Sequence, residues 1–534
     1  MNILQRTEGY PIVLTADRTL VSEYGGSIFL GFSSVVPESV FPAPLYFSIF
    51  CPPVRARPDG SLPVSPCGTR KIQATLLESG FSNEDVIVAH PEQLDKVIGP
   101  RTKILGITEN DPLGIGPATS TFTGIFGGEA YMKIKFRELL NDPAVKRYRP
   151  HIVVGGPGAW QLTQESIRRE LGIDTVFVGE AELVVADLFK RILAGQKVPG
   201  MVMGEVTPIE RIQKIKEPAI DGIIEIARGC GRGCEFCIPT MARYRCRTLE
   251  DILEDVRTTI RFGRQPLLHS EDVLRYGAKG VAVNQEKLVS LFRSVKDIEG
   301  VKRISISHFA LASAASAPEA VGEISDIMEL SEENWLGGQT GIESGSADIM
   351  RAHMNGKCRP FSPERWQDIV VEGFDVCRKN HWVPCGTLIM GLPGESEKDV
   401  RATIELVHKL KEHRSLIVPL FFVATAEFVN GERSFGPNDM TKAHTELFLD
   451  CWEHNLKWAG ALIDQWGGRS MRNPVGRAVA KVVLRFGMIE AKQIIRMCRE
   501  EYDHDIQRMM ADAADNKIHL FPLTIKALAN MKME

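Results

Sequence analysis

Short apolar runs alternate with amphipathic stretches along most of the chain. Between residues 61 and 210, "DVIVAH", "KILGIT", "HIVVGG" and "TVFVGE" read as short buried strands. "TRKIQATLLESGF" places its apolar residues at helical spacing instead. Strands separated by helices imply a parallel, doubly wound sheet, so 61–210 is expected to be a Rossmann-like domain. Residues 1–60 are rich in Pro, Gly and aromatics without clean periodicity, and read as an N-terminal extension. "IQKIKEP" looks like a connector. A second series follows over 220–436: "IIEIARGC", "PLLHSED", "RISISHF", "GGQTGIES", "CGTLIMGLPGE" and "LIVPLFFVAT". Six such strands with helical text between them predict a partial (β/α)6 barrel. From 437 to 534 strand patterns cease and amphipathic helical text takes over, predicting an α-helical C-terminal domain.

Bulk properties narrow the class. A chain of 534 residues is too long for one ordinary core, and 44% hydrophobic with 25% charged residues is ordinary for a soluble globular protein. A net charge of -4 offers no electrostatic footprint for nucleic acid or an anionic membrane. No run approaches the ~20 apolar residues of a membrane span. The opening "MNILQRTEGYPIVLTADRTL" lacks a basic start followed by an apolar run. With eleven irregularly spread cysteines, this makes a reducing cytoplasm the expected location.

Three of those cysteines are not spread. "IEIARGCGRGCEFCIP", residues 224–239, holds Cys230, Cys234 and Cys237 in a C-x3-C-x2-C pattern. A structural zinc site would want four protein ligands, and no second pair is evident, with Cys246 standing alone. Three thiolates on one loop after a strand suit a [4Fe–4S] cluster with one iron left open. A closed cluster or zinc site with a distant fourth ligand is the alternative. Gly229, Gly231 and Gly233 are expected to let the loop wrap closely and aim N–H groups at the sulfurs.

With Phe236 before the last cysteine, the motif resembles the signature of the radical S-adenosylmethionine superfamily. The resemblance implies that S-adenosylmethionine chelates the open iron through its amino and carboxylate groups. An electron from the cluster then cleaves it to a deoxyadenosyl radical. "LLHSED" stands where that family holds the amino group, which nominates Ser270, Glu271 and Asp272. "GIESGS" resembles the motif that meets the carboxylate or ribose, nominating Glu343 and Ser344. "MGLPGE" resembles the turn near the adenine.

A Rossmann-like region ahead of such a barrel resembles the cobalamin-binding branch of the superfamily. "SPCGTRKIQATLLESGF" resembles the first loop and helix of a cobalamin domain, but Ser65 stands where the motif's cobalt-ligating histidine would be. Cobalamin is therefore expected without a histidine from that loop. "GITENDPLG" offers Thr108, Asp111 and Gly114 to the corrin amides. "VVGGPGAW" offers Gly155 and Gly156, whose missing side chains would admit the nucleotide tail, and "FVGEAE" offers Gly179 and Glu180. A nucleotide-binding Rossmann domain remains the alternative, although no G-x-G-x-x-G follows the first strand.

The resemblance implies a cobalamin-dependent C-methyltransferase acting on an unactivated sp3 carbon. It uses methylcobalamin, S-adenosylmethionine and an electron donor such as ferredoxin or flavodoxin. A peptide or protein is the expected substrate, and the most specific candidate is the α-carbon of a glutamine in methyl-coenzyme M reductase. Nucleic acid and membrane are not expected partners. Open alternatives are cyclisation, rearrangement or methylation of a small metabolite or lipid, and a non-catalytic cobalamin sensor. A methylthiotransferase would need a second cysteine cluster, for which Cys51 and Cys67 are too few. No general base is identified. Tyr131, Tyr244, Tyr276 and His308 are candidates for the active-site lining, and Trp452, Trp458, Arg469, Arg472 and Arg477 for a substrate cleft.

Overall fold

The computed structural model describes residues 8–24, 28–425, 433–469, 474–515 and 517–518. A six-stranded, wholly parallel sheet comes first: β1 (Ile12–Ala16), β2 (Val86–Val88), β3 (Ile104–Thr108), β4 (His151–Gly155), β5 (Thr175–Val178) and β6 (Met201–Met203). The strands lie in the order 2-1-3-4-5-6. The period-2 alternation of β1 explains the two-sided core. Ile12 and Leu14 join Leu76 and Phe189, from helices α1 (Cys67–Glu78) and α4 (Val185–Leu193), on one face. Val13 joins Phe136 and Leu140 on the other, where α3 (Tyr131–Leu140) packs; α2 (Pro117–Phe126) leads into it.

The domain thus starts earlier than the sequence suggests. Its central strand pairs Ile12 with Val86 and with Ile104, inside the stretch expected to be an extension. Only at Cys67 does the first sheet-covering helix begin, so no β-then-α rhythm marks "IVLTA" as a strand.

All six expected barrel strands are present: β7 (Ile223–Glu225), β10 (Leu267–His269), β11 (Ser305–Ile306), β12 (Leu336–Glu343), β13 (Trp382–Met390) and β14 (Leu416–Phe421). They form two parallel three-stranded sheets, joined by a parallel bridge between His308 and Gln339. Helices α5 (Leu249–Arg261), α6 (Gln285–Lys296), α7 (Pro318–Ile327), α8 (Trp366–Lys379) and α9 (Glu397–Lys409) cover the outside. A small antiparallel hairpin, β8 (Ala227–Arg228) with β9 (Arg245–Cys246), stands at the carboxyl end of β7.

The described part of the C-terminal segment is helical, as expected: α10 (Lys442–Arg469), α11 (Pro474–Glu500) and α12 (Ile506–Ala514). It does not offer its tryptophans to a cleft. Trp458 packs with Trp335, Val383 and Leu462, and Trp452 meets Phe122 edge-on at 6.3 Å between ring centroids. Both indoles are large apolar bodies used to dock α10 on the barrel and on α2. Arg472 lies outside the described residues, as do the side chains of Arg469 and Arg477.

The first domain is fastened to the barrel. Lys71 Nζ on α1 meets Asp255 Oδ2 on α5 at 3.1 Å, and Phe421 N on β14 donates to Thr121 Oγ1 at 2.7 Å. Among the described residues no helix is long and apolar enough to cross a membrane.

Candidate active site

The hairpin β8–β9 carries residues 229–244 as its loop, so the backbone pairing of Ala227 with Cys246 fixes where all three clustered cysteines stand. Cys230 N and Gly231 N both donate to Met241 O, at 3.0 and 2.8 Å. The Gly231 amide is therefore spent on the loop itself rather than on a sulfur. Gly229 has φ +75°, and a β-carbon there would lie 2.1 Å from Arg243 O, so only glycine fits.

Arg232, between the first two cysteines, turns inward and is 6% exposed. Its Nη2 donates to Asp272 Oδ2 at 3.0 Å and Ser313 Oγ at 2.8 Å, and its Nη1 to the carbonyl of Arg359 at 2.9 Å. Asp272 Oδ1 accepts from Ala310 N at 3.1 Å. Both Asp272 oxygens are thus engaged inside the protein. Through Arg232 it holds the cysteine loop.

All three cysteines are free thiols. Burial raises the Cys234 pKa against the opposing pull of the Lys357 ammonium; burial and the Cys234 thiol push Cys237 up to about 12, although the Cys237 side chain reaches the surface. Metal ligation uses the thiolate form, so a cluster held on this loop would displace these thiol protons. Among the described residues no three His, Cys, Asp or Glu side chains converge as they would around one metal ion. A cubane asks for less convergence, since its cysteines bind separate irons.

The strand ends around this loop carry the other charges. Glu343, at the end of β12, has φ +64° in the left-handed region. Its Oε1 accepts from Lys357 Nζ at 2.8 Å and its Oε2 from Thr387 Oγ1 at 3.2 Å. A β-carbon on Gly341 would lie 1.9 Å from that Oε1, so the glycine of "GIESGS" makes room for the carboxylate. Burial works against the Lys357 charge, but Glu343 and the thiols of Cys234 and Cys230 outweigh it and keep the ammonium protonated. Sequence reasoning missed Lys357; its only signal was a lysine just past the "GIESGS" helix.

The remaining nominees divide. Glu271 is part-exposed and adds negative charge beside Cys237 and His308. Ser270 Oγ is buried with no partner. Ser344 is spent within its own turn, its Oγ accepting from Ser346 N at 3.1 Å. Phe236 packs against the barrel core. His308 lies edge-on to His269 at 5.9 Å, with Nδ1 buried and, among the described residues, unpartnered, and burial lowers its pKa. The other lining candidates all have packing or hydrogen-bond partners, and Tyr244 belongs to the cysteine loop itself. Tyr131 stacks on Tyr46 at 4.4 Å, Tyr244 lies under the Arg275 guanidinium at 4.4 Å, and Tyr276 OH donates to Arg247 O at 3.2 Å.

In the first domain, the strand order reverses between β1 and β3, where open α/β sheets bind ligands. Asp17 and Glu109 meet there, both fully buried. Asp17 N donates to Glu109 Oε1 at 3.2 Å, while Asp17 Oδ2 and Glu109 Oε2 have no partner among the described residues. Burial first, then the Asp17 charge, drives the Glu109 pKa far above the usual carboxylate range. Neither residue was nominated from sequence.

The residues that were nominated there serve mainly the domain. Asp111 Oδ1 accepts from Ile115 N, Gly116 N and Gln161 Nε2 at 2.9, 3.0 and 2.6 Å, which uses it up in shaping its loop. Thr108 Oγ1 bonds Thr69 Oγ1 at 2.9 Å. Gly114 (φ +68°) turns against Lys133. A β-carbon on Gly155 would meet only ordinary contacts, while one on Gly156 would come 2.6 Å from Glu109 O; the close approach is to the chain's own backbone. Gly179 (φ +97°) sets the turn before Glu180. Glu180 itself reaches across to the barrel, to Arg228 Nη1 at 2.8 Å and Arg245 Nη2 at 2.5 Å. It ties the first domain to the two strands of the cysteine hairpin. Ser65 accepts from Ile220 N at 2.9 Å through its carbonyl, and its Oγ is buried without a partner.

Residues 224–407 match the Radical SAM superfamily, which makes the barrel a domain of that kind. The tRNA-2-methylthio-N(6)-dimethylallyladenosine synthase of Thermotoga petrophila is 28% identical over 288 residues, 52% of this chain and 60% of that protein. The same-named protein of Clostridioides difficile is 28% identical over 216 residues, 39% of this chain and 41% of that one. The chain thus spans less than two thirds of the length of these relatives. Among solved structures, the radical S-adenosylmethionine methyltransferase TsrM from Kitasatospora setae, with cobalamin and a [4Fe–4S] cluster bound, superposes with a TM-score of 0.52 at 13% identity. That match covers 79% of this chain and 77% of TsrM. Its complex with tryptophan and a SAM analogue also scores 0.52, over 78% and 75%. The shared architecture of doubly wound sheet, barrel and helices is what this likeness establishes.

Proposed function

We propose that the chain is a cobalamin-dependent radical S-adenosylmethionine C-methyltransferase. The observation that carries this reading is the cysteine hairpin: it faces Glu343–Lys357 and Glu271 at the barrel's strand ends and is tied through Glu180 to the doubly wound domain. Bound together, the cluster and S-adenosylmethionine supply a hydrogen-abstracting radical and cobalamin carries a methyl group. The chain's own residues bind and orient. Cys230, Cys234 and Cys237 hold the iron. Glu271, unengaged by the fold, offers a carboxylate to the ammonium of S-adenosylmethionine, while Lys357 neutralises Glu343 and keeps it in place. In the first domain the bare buried oxygens of Asp17, Glu109 and Ser65 suit the amide donors that rim a corrin.

A peptide or protein substrate, with the glutamine α-carbon of methyl-coenzyme M reductase as its most specific form, rests on the sequence resemblance. A ferredoxin or flavodoxin is the matching reductant. The relatives' names favour a second reading, methylthio transfer. Against it, Cys51 is buried and takes a contact from Arg18 Nη1 at 3.5 Å, while Cys67 sits near Lys71 and Glu225 at the domain junction. The two do not form a second cluster site. The test is anaerobic turnover with cobalamin, a reductant and methyl-labelled S-adenosylmethionine, offered the glutamine peptide or small metabolites. Methyl transfer reads as deoxyadenosine together with S-adenosylhomocysteine and a methylated product. Deoxyadenosine with a thiomethylated product would replace this reading by the second. Products from metabolites and from no peptide would refute the peptide substrate.

A further inference from the structure

We propose that the cleft between α9, α10 and α11 binds a nucleoside polyphosphate, with its phosphates on Lys411, Lys492 and Arg496 and its base on an apolar floor. The site is separate from the cysteine hairpin and does not depend on the cluster. His454 Nε2 and Ser415 Oγ, 2.9 Å apart, join α10 to the residue just before β14. The cleft therefore lies at the amino end of that strand, whereas the cysteines stand at the carboxyl end of β7. Its volume of about 610 Å³ falls within the ~300–1,000 Å³ of small-molecule sites. Val407, Leu456 and Ile495, all buried, form the apolar floor.

The charges lining the cleft do not balance. Lys411, Lys457, Lys492, Arg496 and Arg499 face three acids, Asp450, Glu453 and Glu500. Arg499 takes Asp450 and Glu453, and His408 also meets Asp450. Lys457 is engaged by Glu412, beside the cleft, at 2.7 Å. Among the described residues Lys411, Lys492 and Arg496 form no ion pair, and of the lining acids only Glu500 is left unpaired against them. Helix ends do not account for these cations, because the last turns of α9 and α11 already carry Lys409 and Arg499. Lys492 and Arg496 stand four apart on α11, where like charges repel by ~0.2–0.5 kcal/mol, so an anion between them removes a penalty. Several cations around one cleft suit a group with several negative charges, as a polyphosphate has. A second observation points to a hydroxyl on the ligand. Ser415 Oγ donates to His413 O at 3.0 Å, so it accepts from His454 Nε2. The ring proton is thus on Nε2, and burial lowers the His454 pKa to about 4. His454 Nδ1, buried and without a partner among the described residues, is left as an acceptor for a ribose hydroxyl.

The experiment measures equilibrium binding of radiolabelled ATP to the full chain and to its K411Q/K492Q/R496Q variant. Tripolyphosphate is the second probe, carrying the charge without base or ribose. Wild type is expected to bind ATP saturably and more weakly as salt rises, and the triple variant to bind it at least about tenfold more weakly. Excess S-adenosylmethionine should leave the ATP bound, which separates the cleft from the cofactor site of the barrel. His454→Phe should weaken ATP several-fold and leave tripolyphosphate unchanged, because only the nucleotide brings a hydroxyl. Should that buried substitution prevent folding, the triple variant, whose changes are all on exposed side chains, still decides. No saturable ATP binding by wild type, or equal ATP affinity in wild type and the triple variant, overturns the proposal. Tripolyphosphate bound as tightly as ATP also overturns it, by reducing the cleft to a general anion site. So does a transfer RNA that binds wild type, loses binding in the triple variant and is not displaced by ATP, which would make the cleft a nucleic-acid surface.

Discussion

Lys357 Nζ stands 2.8 Å from Glu343 Oε1, and Gly341 lies so close that a β-carbon there would be 1.9 Å from the same oxygen. The pair is mostly buried, at 16% and 9% side-chain exposure, and it adjoins the thiols of Cys234 and Cys230. Lys357→Met is expected to strand the Glu343 carboxylate at a cost of about 2–4 kcal/mol, measured by chemical denaturation. Lys357→Arg should recover most of it. S-adenosylmethionine affinity should fall at least tenfold in the methionine variant, and an unchanged affinity would remove this pair from the site.

Glu225 supplies a pH signature. Burial pushes its pKa up, but Arg228 overrides this and holds it at about 2. The folded value lies below the unfolded value of about 4.3, so its stabilisation is complete above pH ~4.5 and is lost as pH falls toward 2. Glu225→Gln should flatten the acid limb of the stability profile over that window. A parallel acid limb in the variant would show that Arg228 is held by Glu180 and Glu182 alone.

Glu109 has the opposite sign. Its pKa is raised by burial and by Asp17, so the folded state holds a proton that the unfolded chain releases near pH 4, and stability declines as pH rises above that. Glu109→Gln keeps an oxygen for Asp17 N and removes the titrating carboxyl. It should stabilise the protein by about 1–2 kcal/mol at pH 8 relative to pH 5. Thermal unfolding at the two pH values measures this, and a variant that keeps the wild-type slope would show that another group titrates over that range.

The sequence made the repeating architecture legible because each barrel strand is a short apolar run bounded by turn residues and followed by helical text. It hid β1, because fifty residues separate Ala16 from the helix that should answer it. At the site, polar residues at strand ends look alike in sequence and diverge in space. Asp272 and Glu271 are neighbours, yet one is locked to Arg232 and Ser313 while the other is left unengaged. Asp111 and Glu180 likewise close loops and junctions, and Asp17 and Glu109, 92 positions apart, could be paired only by folding the sheet. Tyr131, Tyr244 and Trp452 drew notice as aromatics and turned out to pack, which is the usual fate of large rings in a core.

The most direct measurement of the central claim is iron and sulfide content, with electron paramagnetic resonance of the reduced protein, for the anaerobically reconstituted chain and its C230A/C234A/C237A variant. The wild-type chain should hold about four irons in a cluster whose signal shifts when S-adenosylmethionine is added, and the variant should hold essentially none. About four irons retained by the triple variant would contradict the assignment of these cysteines and the chemistry built on them.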